Sequence, residues 1–435
     1  MFLNIKKELC AIIDTQAASI LELVNDIGAH PELGYKEFRT SAIVNDFLCS
    51  AGYETERGLA ITGIKANLKK VNEGPVVAFI GELDGIKCAE SSKADKITGA
   101  THHCGHNLQL GVMMAVAQAF KQSGVAPFLA GNISFIASPA EEYIELEYRS
   151  ELRNRGEIKY FGGKQELVRC GVFDNIDAAM MVHSQSYTPQ PFVATVNTGN
   201  GLIADTIRYV GKAAHAAAAP EDGINALHAA VLGINAVNVI RETFNDEDRN
   251  RVHYIITKGG DTVNSIPADV RLECIVRSRT VASMQQLLEK IEQAFRSGGD
   301  ALGAKTEIKR LSGYLPLACN EGLNNIFAEN ARDFIAAHNV TTLHFFKAST
   351  DMGDITHLMP AIHPLVGGVN GALHAANFET VDTTAAITTP AKIVASTLVD
   401  LLMDNAVKLS AITENHRPLL TKKTYMEMLD SFFTK

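Results

Sequence analysis

The 435-residue sequence has no tryptophan, no basic run and no Lys/Arg-rich tail. Its formal net charge is −9, so no nucleic-acid partner is expected. It lacks any stretch of 18 uninterrupted apolar residues, and no segment reads as membrane-spanning. The opening MFLNIKKELCAIIDT carries charge within its first ten residues and has neither an apolar signal core nor a small-residue cleavage site. The seven cysteines (Cys10, Cys49, Cys88, Cys104, Cys170, Cys274 and Cys319) are scattered and odd in number, which argues against a disulfide framework. A cytoplasmic location is the resulting expectation. A Rossmann glycine fingerprint, a phosphate loop and a His-Glu-x-x-His helix are also missing, which leaves nucleotide-dependent and single-zinc protease chemistry without support.

What the chain does have is enough length for two domains and an ordinary globular composition, 46% hydrophobic and 20% charged. Apolar residues repeat at helical spacing over 4–26, and a second helix is expected near 36–50. Val76–Gly81 and Asn132–Ala137 read as buried strands, Ala178–Val182 as a third, and Asn107–Lys121 as a buried helix. Strands alternating with helices predict an α/β sheet. In such sheets ligands collect at the carboxyl ends of the strands. Asp84, the pair Glu141-Glu142 and His183 all fall there. The highly charged stretch 143–160 reads as an exposed helical excursion. From about 198 the expected order is a strand, an Ala-rich helix over 213–240, strands at 252–258 and 270–277, a helix at 281–297 and a strand at 305–311. This βαββαβ order is that of a two-layer, ferredoxin-like unit. It divides the chain into a domain made of 1–197 and 314–435 and an inserted domain, 198–313.

Chemistry concentrates at a few points. Cys104 and His106, two apart and just before a helix, are ligand types for zinc and similar ions. Glu141 and Glu142 are adjacent carboxylates that repel unless a positive charge sits beside them. Helix-dipole placement is the alternative for that pair. His183, alone at the end of an apolar run, is of a kind more often structural than a ligand, and His374 is similarly ambiguous, one histidine in a Gly-containing loop. Taken together, Cys104, His106, Glu142, His183 and His374 are one ligand more than a closed structural zinc site uses. They suit two neighbouring metals, with Glu141 left to act as a base in hydrolysis. A Cys104 nucleophile with a histidine base is an alternative, as is a non-catalytic protein that binds amino-acid conjugates on the same fold.

With these residues in view, the chain resembles the two-metal aminoacylase and carboxypeptidase family. Within it the chain looks most like the subgroup of aminobenzoyl-glutamate hydrolase, auxin-conjugate amidohydrolases and β-alanyl-lysine dipeptidase-like proteins. The resemblance rests on HPELGYKEF (30–38), HHCGHN (102–107), PAEE (139–142), MVHS (181–184), GKAAHAAAAPEDGINAL (211–227), GGDTVNSIPA (259–268), STDMGD (349–354) and ALHAANF (372–378). It implies a zinc-exopeptidase-like catalytic domain with a central mixed sheet flanked by helices, and an inserted lid and dimerisation domain. It implies two divalent ions per chain (Zn, Mn or Co) bridged by Cys104 and completed by His106, Glu142, His183 and His374. Glu141 would serve as general base on a metal-bridging water, and Asp84 would orient a histidine ligand. His215 would stabilise the oxyanion across a homodimer interface, while Asn264 and Arg277 would hold a substrate carboxylate. The expected reaction is hydrolysis of an amide bond in a small N-acyl amino acid, an aminobenzoyl-glutamate-like conjugate or a dipeptide. Two departures from the family pattern stand out: the stretch Tyr143 to Tyr160, an insert between the Glu pair and Phe161-Gly162-Gly163-Lys164, and the polar segment after Asp84.

Overall fold

The computed structural model describes residues 2–70, 74–186 and 192–432. The chain forms two compact units. The first comprises 1–197, 318–346 and 354–422, and the second comprises 198–317, 347–353 and 423–435.

A six-stranded sheet organises the first unit, in the order Thr55–Leu59, Gly63–Asn67, Asn132–Ser138, Val76–Glu82, Ala178–Met180, Ala361–Ile362. The first two strands form an antiparallel edge, and the remaining four run parallel. The central strands Val76–Glu82 and Asn132–Ser138 are buried along their whole length, as expected where helices cover both faces. The long helix Phe2–Ala29 lies against His106–Gln122 and Thr389–Leu402. One of the links is a hydrogen bond from Gln16 Nε2 to the Ala115 carbonyl, 2.7 Å. The helical stretch Thr384–Leu402 is long and apolar enough to cross a membrane, but 83% of it is buried within the protein, which makes it a core helix.

Because the four strands are parallel, their carboxyl ends share one edge. Asp84, Glu141-Glu142 and His183 follow three of them, as the sequence predicts. His363 follows the fourth, Ala361–Ile362, and was not anticipated.

The second unit is a four-stranded antiparallel sheet in the order Arg251–Lys258, Asp269–Ser278, Gly201–Val210, Lys305–Tyr314, with the helices Ala226–Ile240 and Val281–Leu302. The chain order is the expected βαββαβ. The two helices cross closely because Gly298 and Gly233 meet; a Cβ on Gly298 would sit 2.4 Å from the Gly233 nitrogen. The Ala-rich helix does not begin at 213. Residues 213–225 form a loop with the short turn Pro220–Asp222, and the helix starts only after Asn225, whose side chain accepts the His228 N–H at 3.0 Å. Alanine content suggests helix there, but Pro220 and Gly223 interrupt it and the Asn cap sets the start.

The stretch 143–160 also departs from expectation. It contains a helix, Leu146–Asn154, but it is not simply exposed: Leu146, Arg149, Leu152, Ile158 and Tyr160 are all buried. Its charged residues occupy one face, and the apolar ones and Arg149 the other.

Candidate metal centre and active site

Five chain segments converge at the carboxyl edge of the large sheet. The turn before the helix His106–Gln122 carries Cys104. It needs a left-handed residue, Gly105 (φ 79°), where a Cβ would sit 2.9 Å from Ser184 Cβ. The Cys104 sulfur lies 3.4 Å from His183 Nε2 and 3.3 Å from His374 Nε2. His374 Nε2 is in turn 3.0 Å from Glu142 Oε1. Two sets of ligand-type atoms result, Cys104–His106–His183 and Cys104–Glu142–His374, each within 4.8 Å of one another and sharing the cysteine. A third set joins Glu82, His106 and Glu141. The five residues singled out in the sequence are thus brought together, with Glu141 beside them: its Oε2 is 4.0 Å from His106 Nε2.

The ring orientations are fixed from behind. His106 Nδ1 donates to the Asp84 carbonyl at 2.7 Å, with Asp84 Oδ1 3.5 Å away. His183 Nδ1 donates to the Ser184 carbonyl at 2.8 Å. Both rings therefore present Nε2 to the centre. Asp84 Oδ2 accepts the Glu142 N–H at 2.9 Å, so Asp84 links the histidine to the Glu pair. His374 holds φ at 64°, a backbone state that side chains rarely adopt outside constrained sites.

Electrostatics follow from crowding. Burial and Glu142 push the Cys104 thiol up, but His183 and His106 outweigh them and bring it down to about 6. Glu142 raises His374 to about 11 against the opposing effect of burial. Burial drives His363, stacked on His183 with centroids 5.5 Å apart, down to about 3, so that ring is neutral.

A pair of metal ions fits this set. The donors are a thiolate-prone sulfur, three imidazoles and a carboxylate. Two buried atoms aimed into the cluster, His106 Nε2 and Glu142 Oε1, have no hydrogen-bond partner among the described residues despite charged neighbours within 3.1 Å. Buried polar atoms left in this state are costly, and a cation would satisfy both.

Three functional neighbours escape sequence reasoning. Glu82 sits at the end of its strand with Oε2 3.1 Å from His106 Nε2, and its Oε1 accepts Lys164 Nζ at 2.6 Å, with both side chains fully buried. Burial pushes Glu82 up, but Lys164, His106 and His183 outweigh it and hold the carboxyl well below its usual range. The alternation Glu82-Leu83-Asp84 at a strand end could have signalled two carboxylates on one face. Lys164, directly after Gly162-Gly163, and Arg149 carried no such signal.

The remaining predicted residues lie in the second unit. His215 is exposed, and its Nδ1 accepts N–H groups from Ala217 (3.2 Å) and Ala218 (3.0 Å). Its backbone bridges to Ser265, and the Asn264 carbonyl accepts the Ala216 N–H at 3.0 Å, which places Asn264 beside it. Arg277, on the strand Asp269–Ser278, donates from Nε to Ser349 Oγ at 3.2 Å.

Comparison with known proteins agrees with this geometry. Residues 198–301 match the peptidase dimerisation domain. The chain is 29% identical over 378 residues to a Xaa-Arg dipeptidase from Mus musculus, covering 83% of this chain and 79% of that protein. It is 27% identical over 413 residues to one of the p-aminobenzoyl-glutamate hydrolase polypeptides of Escherichia coli, with 80% of each chain covered. A crystal structure of a dinuclear metal-binding peptidase from Bacillus subtilis superimposes with a TM-score of 0.64 at 20% identity, over 89% of this chain and 99% of that one. Fold and site define a metal-dependent hydrolase of carbon–nitrogen bonds. The chain is similar to members of the two-metal aminoacylase and carboxypeptidase family of metallopeptidases.

Proposed function

We propose that this protein hydrolyses the amide bond of a small N-acyl amino acid, aminobenzoyl-glutamate-like conjugate or dipeptide, and that Glu141 carries the proton. The observation that carries the reading is the pair of ligand sets sharing Cys104, with Glu141 at their margin. Cys104, His106 and His183 would hold one ion, and Cys104, Glu142 and His374 the other; zinc, manganese or cobalt each suit these donors. When bound, such a pair polarises a carbonyl and makes a water easier to deprotonate. Glu141 takes that water's proton on its carboxylate and returns it to the departing amine nitrogen. Asp84 keeps His106 in the tautomer with hydrogen on Nδ1.

The second unit supplies the rest of the reading. Because His215 Nδ1 accepts two backbone N–H groups, its hydrogen resides on Nε2, a donor suited to a developing oxyanion. Arg277 and Asn264 would hold the substrate carboxylate, a group common to the substrates named for the dipeptidase and glutamate-conjugate relatives. Homodimerisation fits the matched domain and the exposed apolar residues Val231, Leu232 and Val239 on the helix Ala226–Ile240, with Ile255 and Ile256 on the edge strand Arg251–Lys258.

The test is elemental analysis of purified protein together with release of free amino acid from a panel of dipeptides, N-acyl amino acids and p-aminobenzoyl-glutamate, before and after chelation. Two metals per chain and chelator-sensitive release are expected. Turnover that survives metal removal would instead assign attack to Cys104, and metal without turnover on any amide would leave a binding protein.

A further inference from the structure

The insert between Tyr143 and Tyr160 has no part in the mechanism above, yet it reaches the catalytic loop. Its helix Leu146–Asn154 turns Arg149 inward, where the residue is 1% exposed. Arg149 Nη1 donates to the Phe161 carbonyl at 2.7 Å and to the Ala140 carbonyl at 3.3 Å, and Nη2 donates to the Glu142 carbonyl. Two of those carbonyls flank Glu141. On the other side, the Ala140 N–H donates to Glu37 Oε1 at 2.8 Å and the Glu142 N–H to Asp84 Oδ2 at 2.9 Å. The residues before and after Glu141 are thus held at both N–H and C=O by three buried ionisable side chains.

Ala140 sits at φ 51°, a left-handed state that a non-glycine residue keeps only where its surroundings enforce it. The N-terminal motif leaves room for the enforcing group: a Cβ on Gly34 would fall 2.6 Å from Arg149 Nη2 and 3.0 Å from Ala140 Cα. The third carbonyl, Phe161, lies at the far end of the insert, so one guanidinium closes the insert and clamps the loop. A planar fork can serve several carbonyls at once, and an ammonium on a flexible stem cannot hold the same arrangement.

We propose that Arg149 is a positioning residue, and that the insert is a brace fixing the direction of the Glu141 carboxylate and the seating of Glu142. The proposal rests on the reading of Glu141 as proton carrier. A misplacement of about 1 Å at such a group costs on the order of 100-fold in rate.

The experiment uses the full-length, metal-loaded protein and two variants. Arg149→Lys keeps the charge but loses the fork. Gly34→Ala crowds the guanidinium from outside. Expected for both are two metals per chain, a KM for p-aminobenzoyl-glutamate within about threefold of wild type and a kcat lowered roughly 100-fold. Hydrogen exchange read on the peptide spanning 139–144 should speed up by on the order of tenfold, as the loss of a charge-assisted hydrogen bond predicts, with the rest of the first unit unchanged. A kcat within threefold of wild type in folded Arg149→Lys, or unchanged exchange over 139–144, overturns the proposal. So does general loss of helical signal in both variants, which would give Arg149 a folding role alone. If the wild type hydrolyses none of the amides, the hydrolase reading fails, and exchange over 139–144 still decides whether the brace exists.

Discussion

At the scale of single residues, the divisions among the carboxylates are the most testable feature. Glu142 faces His374 across 3.0 Å in one of the two sets that share Cys104, whereas Glu141 stands outside those two, 4.0 Å from His106 in the set with Glu82. Glu141→Ala should therefore retain two metals and lose activity by about 10² to 10⁴-fold, the usual share of a general base. Cys104→Ala should lose both metals, because its sulfur is common to both sets. Elemental analysis beside the amide assay separates the two, and near-normal turnover in Glu141→Ala would refute its role. The buried pair Lys164–Glu82 makes a stability prediction. Removing one partner strands a charge, so Lys164→Met should destabilise by about 3–5 kcal/mol in urea unfolding, and adding Glu82→Gln should recover much of it. A single variant as stable as wild type would show that the pair is not charged. These residues also mark the limit of sequence reading. His106 and Glu142 could be named because ligand chemistry is local to a short motif. Glu82, Lys164 and Arg149 could not, because a charge buried by distant segments looks like any surface charge in one dimension.

At the scale of elements, periodicity served well where burial is regular. The strands Val76–Glu82 and Asn132–Ser138 and the order of the second unit's six elements follow from apolar patterning. It failed at the start of the helix Ala226–Ile240, where alanine composition outweighed the Asn225 cap, and over the helix Leu146–Asn154, where charge density concealed a buried face. The strand Gly201–Val210 contains its own anomaly. Asp205 is buried opposite Cys274 and Arg310, and neither carboxyl oxygen has a hydrogen-bond partner among the described residues. Burial above all, with Glu292 adding, raises it to about 8 against the lowering by Arg310 and Arg296. A carboxyl whose pKa is higher folded than unfolded binds its proton more tightly in the native state. Stability should then fall as pH rises from the unfolded value near 4 toward 8, and level off above it. Asp205→Asn should flatten that slope. Thermal unfolding of the two proteins at pH 5, 7 and 9 is the check, and parallel curves would sink the assignment.

At the scale of the whole molecule, the prediction concerns the pairing of two chains. Sedimentation should give a dimer, and replacing Val239 and Ile255 with charged residues should shift it toward monomer. His215→Ala and Glu141→Ala proteins, each nearly inactive alone, should regain activity when their chains exchange between dimers; proven heterodimers with no recovery would confine His215 to its own chain. The fold was legible here because the matching motifs run the length of the sequence, while the substrate was not, since pocket shape depends on side chains drawn from remote segments. That dispersal has a consequence in time. Cys104, His106 and His183 leave the ribosome before the second unit begins, and His374 follows after that unit's main stretch, 198–317. At 5 to 20 residues per second the delay between His183 and His374 is roughly ten to forty seconds. The two halves of the centre are therefore born in sequence. On the proposed assignment, a nascent chain would hold the three donors for one ion well before it could offer those for the second.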